Sequence, residues 1–393
     1  MKEMLITNIR LVMPDGSLKP GTIAVNEDKI VRTAVGELGA FTGRKFDGEG
    51  AIALPGFIDI HIHGAAGADF MDGTEDAYAT IAGVLPAEGT TSFLATTLTD
   101  SYEHISKAVA AGKSFAASTK NCVAAEMLGF HLEGPFIQPD FAGAQPREYI
   151  RTPSSELLAA WFGEQMNDLS IVTLAPELDG SLEMIKLLHN KGVIASGGHT
   201  AASFEDIQRA ADAGLSHLTH FANAMTGLHH RNVGTVGAGM LDERLCCEII
   251  ADGVHLSPEM LQLITLTIGF ERMVLITDSI RAKGLPDGSY TLGNQQVEVS
   301  GNKAYLADGT LAGSVLKMNE GLRLLTQIIG LSFWDASLLT SGNAAERLGI
   351  GDRKGSLRAG YDADIVLLDE ACNVKFTFCR GRLSYAYDGK QTI

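Results

Sequence analysis

Eight short apolar runs recur through the middle of the chain, at residues 56–63, 90–97, 123–133, 169–176, 193–199, 215–220, 246–252 and 273–278, and most are separated by segments with helical patterning. The segments 181–190, 203–213 and 257–268 read as helices, the last opened by Ser257 as cap and Pro258 in the first turn. Strands that alternate with helices pair in parallel, because the crossover helix returns the chain to the same end of the sheet. Eight such strands predict a (β/α)8 TIM-like barrel, a fold that gathers its functional groups at the carboxyl ends of the strands.

The flanks follow a different pattern. Residues 4–12, 22–25 and 29–32 are strand-like and are broken by turns such as Pro14-Asp15-Gly16; residues 364–368, 374–379 and 382–387 behave alike. The expected class is therefore α/β: residues 55–355 as the barrel, and residues 1–54 with 356–393 as a small β-sandwich domain formed by both chain ends. A length of 393 residues agrees, since a barrel takes about 250 and leaves room for a small domain.

The strand-end rule can be tested against polar residues. His61 with His63, Glu133, His199, His220 and Asp278 stand at the ends of five different runs, so all of them aim at one mouth. In His61-Ile62-His63 the two imidazoles share a strand face, because side chains alternate with a period of two. Each residue alone has a structural explanation: a hydrogen-bonded core histidine, a carboxylate solvated at the Gly134-Pro135 turn, or a cap for the next segment. Those explanations predict no common location. Four histidines and a carboxylate at strand ends suit one or two divalent ions, zinc first, with iron, manganese or cobalt as alternatives. No lysine stands at a strand end to bridge two ions, since Lys120 and Lys191 precede their strands, so Glu133 is the best available bridging ligand if two ions bind, and the number of ions stays open. Asp278, closing the eighth run, is placed to take a proton from water and return it to a leaving amine, the chemistry of amide hydrolysis. Arg231, in the loop after the sixth run, is a candidate anion clamp, assisted by the main chain at Asn223 and Ala224 and by His255 beyond the seventh.

Charge narrows the partners. With 31 Lys and Arg against 47 Asp and Glu, the net charge of −16 excludes a role that depends on neutralising a nucleic-acid backbone. The five cysteines form no Cys-x-x-Cys pair, and adjacent Cys246 and Cys247 cannot easily bond to each other; they read as reduced core residues. The first ten residues lack the apolar stretch of a signal peptide or membrane span, so a cytoplasmic protein is expected.

Pro55-Gly56-Phe57-Ile58-Asp59-Ile60-His61-Ile62-His63-Gly64 resembles the first-strand motif of the amidohydrolase superfamily, and Gly360-Tyr361-Asp362-Ala363-Asp364-Ile365-Val366 resembles its tail. More narrowly, His131-Leu132-Glu133-Gly134-Pro135-Phe136, Ser196-Gly197-Gly198-His199-Thr200, His229-His230-Arg231, Ala251-Asp252-Gly253-Val254-His255 and Leu311-Ala312-Gly313-Ser314 are similar to the N-acetylglucosamine-6-phosphate deacetylases of that superfamily. The resemblance implies a divalent metal on the residues named, Asp278 as catalytic acid/base, and Asn223, Ala224, Arg231, His255, Leu311 and Ala312 around a sugar phosphate. It also implies a homodimer with a phosphate contact crossing between subunits. Two positions depart from the pattern. Gln145 stands where the family often has a histidine that contacts substrate, and Ala222 replaces an aromatic residue before Asn223-Ala224. The alternatives are a deacetylase for the galactosamine epimer, another amide hydrolase, and a catalytically silent sugar-phosphate-binding protein; a full ligand set together with Asp278 argues against the last.

Overall fold

The computed structural model describes residues 3–39, 41–118 and 123–387, so Lys120 and Cys122 lie outside the described residues. At the amino end come β1 (Met4–Val12), β2 (Leu18–Asn26), β3 (Lys29–Val35) and β4 (Arg44–Pro55). The barrel strands follow: β5 (Phe57–Ile62), β6 (Thr90–Thr97), β7 (Glu126–Glu133), β8 (Leu169–Leu174), β9 (Ile194–Gly197), β10 (Leu215–Leu218), β11 (Cys246–Ile250) and β12 (Met273–Ile276). They lie side by side in chain order and pair in parallel. Every residue of β6 is buried, as expected of a parallel strand covered on both faces.

Helices join successive strands, among them α1 (Glu75–Val84), α2 (Tyr102–Ser118), α3 (Ser155–Phe162), α4 (Ser181–Lys191), α5 (Phe204–Ala213), α6 (Gly234–Leu241) and α7 (Pro258–Ile268). Their boundaries follow local chemistry. Ser203 caps α5 in a reciprocal capping box with Asp206, and Ser257 caps α7 with Pro258 next. Between the first and last barrel strands the seam is closed above the sheet: the Asp278 N–H donates to the His61 carbonyl at 2.8 Å, and the His63 N–H to the Ser279 carbonyl at 2.9 Å. The Thr277 hydroxyl also donates to Asp59 at 2.5 Å across that seam.

Past the eighth strand, β13 (Gly288–Leu292), β14 (Gln295–Ser300) and β15 (Lys303–Tyr305) form an antiparallel sheet that the sequence reading did not include. Its signal was present: alternating residues broken by Gly293-Asn294 and Gly301-Asn302 are hairpin grammar. Leu292, Val297 and Val299 pack with Leu98, Ala144 and Ile280 beside the barrel mouth. After α8 (Met318–Ile329), the chain returns to β16 (Ile365–Leu368), β17 (Val374–Cys379) and β18 (Arg382–Ala386). These join the amino-terminal strands in one seven-stranded sheet, ordered β18-β17-β16-β4-β1-β2-β3, with its own core of Ile6, Ile23, Ile365 and Phe378 among others.

Barrel and sheet are linked by a buried ionic cluster. Lys354, 3% exposed, contacts Asp364, Asp362 at 3.1 Å and Glu126 of β7 at 2.7 Å, and Lys29 of β3 reaches Asp362 at 2.6 Å. Burial acts to lower the lysine pKa, but the three carboxylates outweigh it and hold the ammonium charged. Lys354→Met would leave these carboxylates facing one another without their central cation, at a cost of about 3–5 kcal/mol. A denaturant midpoint equal to that of the unaltered protein would show that the cluster does not hold the two parts together.

Candidate metal centre and active site

The site is built on Glu133, the last residue of β7. Its Oε1 lies 3.1 Å from His199 Nε2 and 3.2 Å from His220 Nε2, while its Oε2 lies 3.3 Å from His63 Nε2. His61 Nε2 is 3.5 Å from Oε1 of the same carboxylate. Asp278 faces the group from the other side, its Oδ1 3.3 Å from His63 Nε2 and 3.4 Å from His61 Nε2. All six residues named from strand ends therefore converge, and all are buried, the most open being Asp278 at 7%.

Two triads share this volume, His61-His63-Asp278 and Glu133-His199-His220. The donors fit a divalent ion for reasons internal to the site. His199 Nε2 and His220 Nε2 lie 3.0 Å apart, and His61 Nε2 and His63 Nε2 3.4 Å apart, so ring nitrogens face one another as well as the carboxylates. The outward nitrogens show which lone pairs are free. His199 Nδ1–H donates to the Phe141 carbonyl at 2.8 Å, which leaves Nε2 as the lone-pair nitrogen. Charge makes the same point. Burial would raise the Glu133 pKa, but His61, His199, His220 and His63 outweigh it and hold the carboxyl well below the usual range. Carboxylates this buried need positive charge beside them, and either imidazolium protons or a bound cation supplies it.

The main chain is bent to make this possible. His199, His220 and Asp278 have φ of 47°, 30° and 48°, left-handed values uncommon for residues other than glycine. Asp278 is held there by the segment 311–314: the Ser314 N–H donates to the Asp278 carbonyl at 2.8 Å, and Ser314 Oγ to the Thr277 carbonyl at 2.5 Å. Gly313 is required in that segment, since a Cβ there would sit 2.9 Å from the Asp278 carbonyl oxygen at a φ of 61°.

A cavity of about 370 Å³ opens onto the cluster, lined in part by Asn223, Ala224, His255, Leu311 and Gln145. His255 is oriented by Asp252, whose Oδ2 accepts from His255 Nδ1 at 2.7 Å. Gln145 does more than line the wall: its Oε1 accepts from the Thr99 N–H at 2.7 Å, and its Nε2 donates to Glu133 at 2.6 Å. Ala312 is fully buried beside the cavity and does not line it; its N–H pairs with the Ala304 carbonyl. Arg231 is outside the cavity of its own chain, exposed on a loop where its Nη1 lies 2.6 Å from His230 Nε2. Ala222, also in a left-handed conformation, turns the chain at the foot of this loop.

Beneath the cluster lies a supporting layer that strand-end position does not reveal. His131 is satisfied on both sides, at 3.0 Å from the Ile60 carbonyl and 2.7 Å from Thr173 Oγ1, and burial pushes its pKa down to about 3, so it is a neutral structural histidine. Glu248 and His217 are fully buried as well. Each is an ionisable residue in the middle of an apolar strand, where it must find a partner, and that was the available signal.

A closed parallel barrel with this histidine and carboxylate cluster at its mouth is the architecture of a metal-dependent hydrolase, and the chain belongs to the amidohydrolase family, whose profile matches residues 52–384. It is 44% identical to the N-acetylglucosamine-6-phosphate deacetylase of Bacillus subtilis (strain 168), over 98% of both chains. It is also 37% identical to the N-acetylgalactosamine-6-phosphate deacetylase of Escherichia coli O157:H7, over 85% of this chain and 88% of that one. Among solved structures, an aspartate-to-alanine mutant of the Mycobacterium smegmatis N-acetyl-D-glucosamine-6-phosphate deacetylase, in complex with N-acetyl-D-glucosamine-6-phosphate, matches with a TM-score of 0.90. The two are 32% identical, and the match covers 98% of this chain and 100% of that one. Among the described residues no helix is long and apolar enough to cross a membrane, and Cys246, Cys247, Cys372 and Cys379 are free and buried.

Proposed function

We infer that the chain hydrolyses the acetamide of N-acetyl-D-glucosamine 6-phosphate, releasing acetate and D-glucosamine 6-phosphate. The observation that carries this reading is the convergence of His61, His63, His199, His220, Glu133 and Asp278 at the wall of one cavity. Glu133 Oε1 faces His199, His220 and His61 and its Oε2 faces His63, so this carboxylate would help hold one ion or two, with zinc the first choice for such a nitrogen and oxygen set. When bound, a divalent ion here supplies Lewis acidity that polarises the acetyl carbonyl and eases deprotonation of water. Asp278 takes the proton released as water adds to the carbonyl and gives it to the amine nitrogen as the C–N bond breaks. His255, with Nδ1–H committed to Asp252, offers Nε2 to a substrate oxygen, and the main chain at Asn223 and Ala224 lines the phosphate end.

The exposed Arg231 completes the pocket of a second copy in a homodimer. On this reading Arg231→Ala raises KM for the phosphorylated sugar by about 10–100-fold, the worth of one hydrogen bond to a charged group, and leaves hydrolysis of unphosphorylated N-acetylglucosamine unchanged. An equal loss on both substrates would remove the arginine from phosphate binding. The free cysteines fit a reducing, cytoplasmic setting. The reading as a whole is tested by acetate release from N-acetylglucosamine 6-phosphate and its galactosamine epimer with added zinc, iron, manganese or cobalt. Faster release from the epimer would reassign the substrate, and release from neither would end the deacetylase reading.

A further inference from the structure

Strand β11 reads Cys246-Cys247-Glu248-Ile249-Ile250, and Glu248 is fully buried among these apolar neighbours. A carboxylate in that setting is strongly destabilising unless its oxygens are engaged. One of them, Oε2, accepts two hydrogen bonds: from His61 Nδ1–H at 2.9 Å and from the His220 main-chain N–H at 3.0 Å. The other, Oε1, lies 3.4 Å from His217 Nε2. His61 is on β5 and Glu248 on β11, strands kept apart by β12, so the two side chains meet through the barrel interior and not along a sheet neighbour.

The double acceptance has two effects. By accepting the hydrogen bond from Nδ1–H, Glu248 fixes His61 in the tautomer whose Nε2 carries the lone pair, and that nitrogen is the one turned toward His63, Asp278 and Glu133. The same oxygen also satisfies the N–H of His220 at the point where the backbone takes a φ of 30°. We propose that Glu248 is the positioning residue of the metal centre, holding the His61 ring and the His220 main chain in register so that both halves of the cluster address the same ion or ion pair. Glu248 is fully buried and does not line the cavity. The proposal rests on the reading of the cluster as metal ligands and not on the identity of the sugar.

The test uses the full chain, stripped with a chelator and titrated with Zn²⁺ against a competing indicator dye and with Co²⁺ followed by its visible absorption. Glu248→Leu, similar in volume and without an acceptor, is expected to weaken ion affinity by about 10–100-fold and to change the Co²⁺ bands. Glu248→Gln keeps an oxygen for His61 and is expected to recover most of that loss. In a His61→Ala background the added effect of Glu248→Leu should shrink, because one of the two partners through which it acts is gone and only the His220 N–H remains. Should Glu248→Leu fail to fold, Glu248→Asp withdraws the oxygen by one methylene while keeping the charge, and the same weakening is expected. Unaltered affinity and bands in a folded Leu or Asp variant, or an undiminished effect without His61, would overturn the proposal. No stoichiometric uptake by the unaltered chain would overturn the metal reading and this proposal together, whereas metal uptake without acetate release would count only against the substrate.

Discussion

Asp278→Asn lowers turnover by about a thousandfold or more, the scale of a lost general acid/base, while the protein still binds metal at Glu133, His199 and His220. The substitution is close to isosteric, and asparagine tolerates the left-handed φ of 48° that position 278 requires. Lost activity therefore reports a lost proton acceptor and not a collapsed loop. In the metal-free protein burial would raise the carboxylate's pKa, but His61 and His63 outweigh that and hold it lower, so it is ionised at neutral pH. The measurement is kcat beside metal content by emission spectrometry on the same sample. Turnover within tenfold of the unaltered enzyme would assign the proton transfer to another group, and complete loss of metal would make Asp278 chiefly a ligand.

Removing the metal is expected to be as severe. After exhaustive chelation, acetate release falls to the level of the buffer blank and returns on adding back Zn²⁺. Stability falls as well, because a cation that binds only the folded cluster at about a thousand times its dissociation constant adds about 4 kcal/mol. Reloading also displaces protons. In the metal-free protein, burial acts to lower the His61 pKa, but Glu248, Asp278 and Glu133 outweigh it and raise the value to about 9. The imidazole is thus charged below that pH and neutral above it. Ion binding at pH 8 should release protons into weakly buffered solution, and apparent affinity should weaken as the pH is lowered from 9. Full activity after chelation, with no metal left by emission spectrometry, would exclude the hydrolytic chemistry proposed here.

Much of this was legible before the fold was known, for a physical reason. Parallel strands buried on both faces must be apolar throughout, so His61, His63, Glu133, His199, His220 and Asp278 stood out as polar interruptions at run ends, and a closed barrel brings run ends together. One layer down, position along a run no longer tells. Glu248, His131 and His217 interrupt their strands in the middle, and their partners lie on strands far away in sequence, so no local pattern says whether such a residue meets a histidine or a hydroxyl. Gln145 illustrates a different limit. The resemblance placed it beside substrate, and it does line the cavity; its two hydrogen bonds, to Thr99 and Glu133, were out of reach because they depend on segments after two different strands. Arg231 is a third case, since a residue whose proposed target belongs to another subunit has no visible target within one chain.

The left-handed conformations at His199, His220 and Asp278 bear on how the chain responds to random mutation. Each such residue costs of order 1–3 kcal/mol over a relaxed backbone, and glycine at any of the three would relieve that cost while destroying the site. A selection for yield of folded protein should therefore enrich glycine at positions 199, 220 and 278, and a selection for growth on an acetylated amino sugar should purge the same variants. Where the two selections disagree most sharply along the sequence, they would trace the active site without any knowledge of the fold.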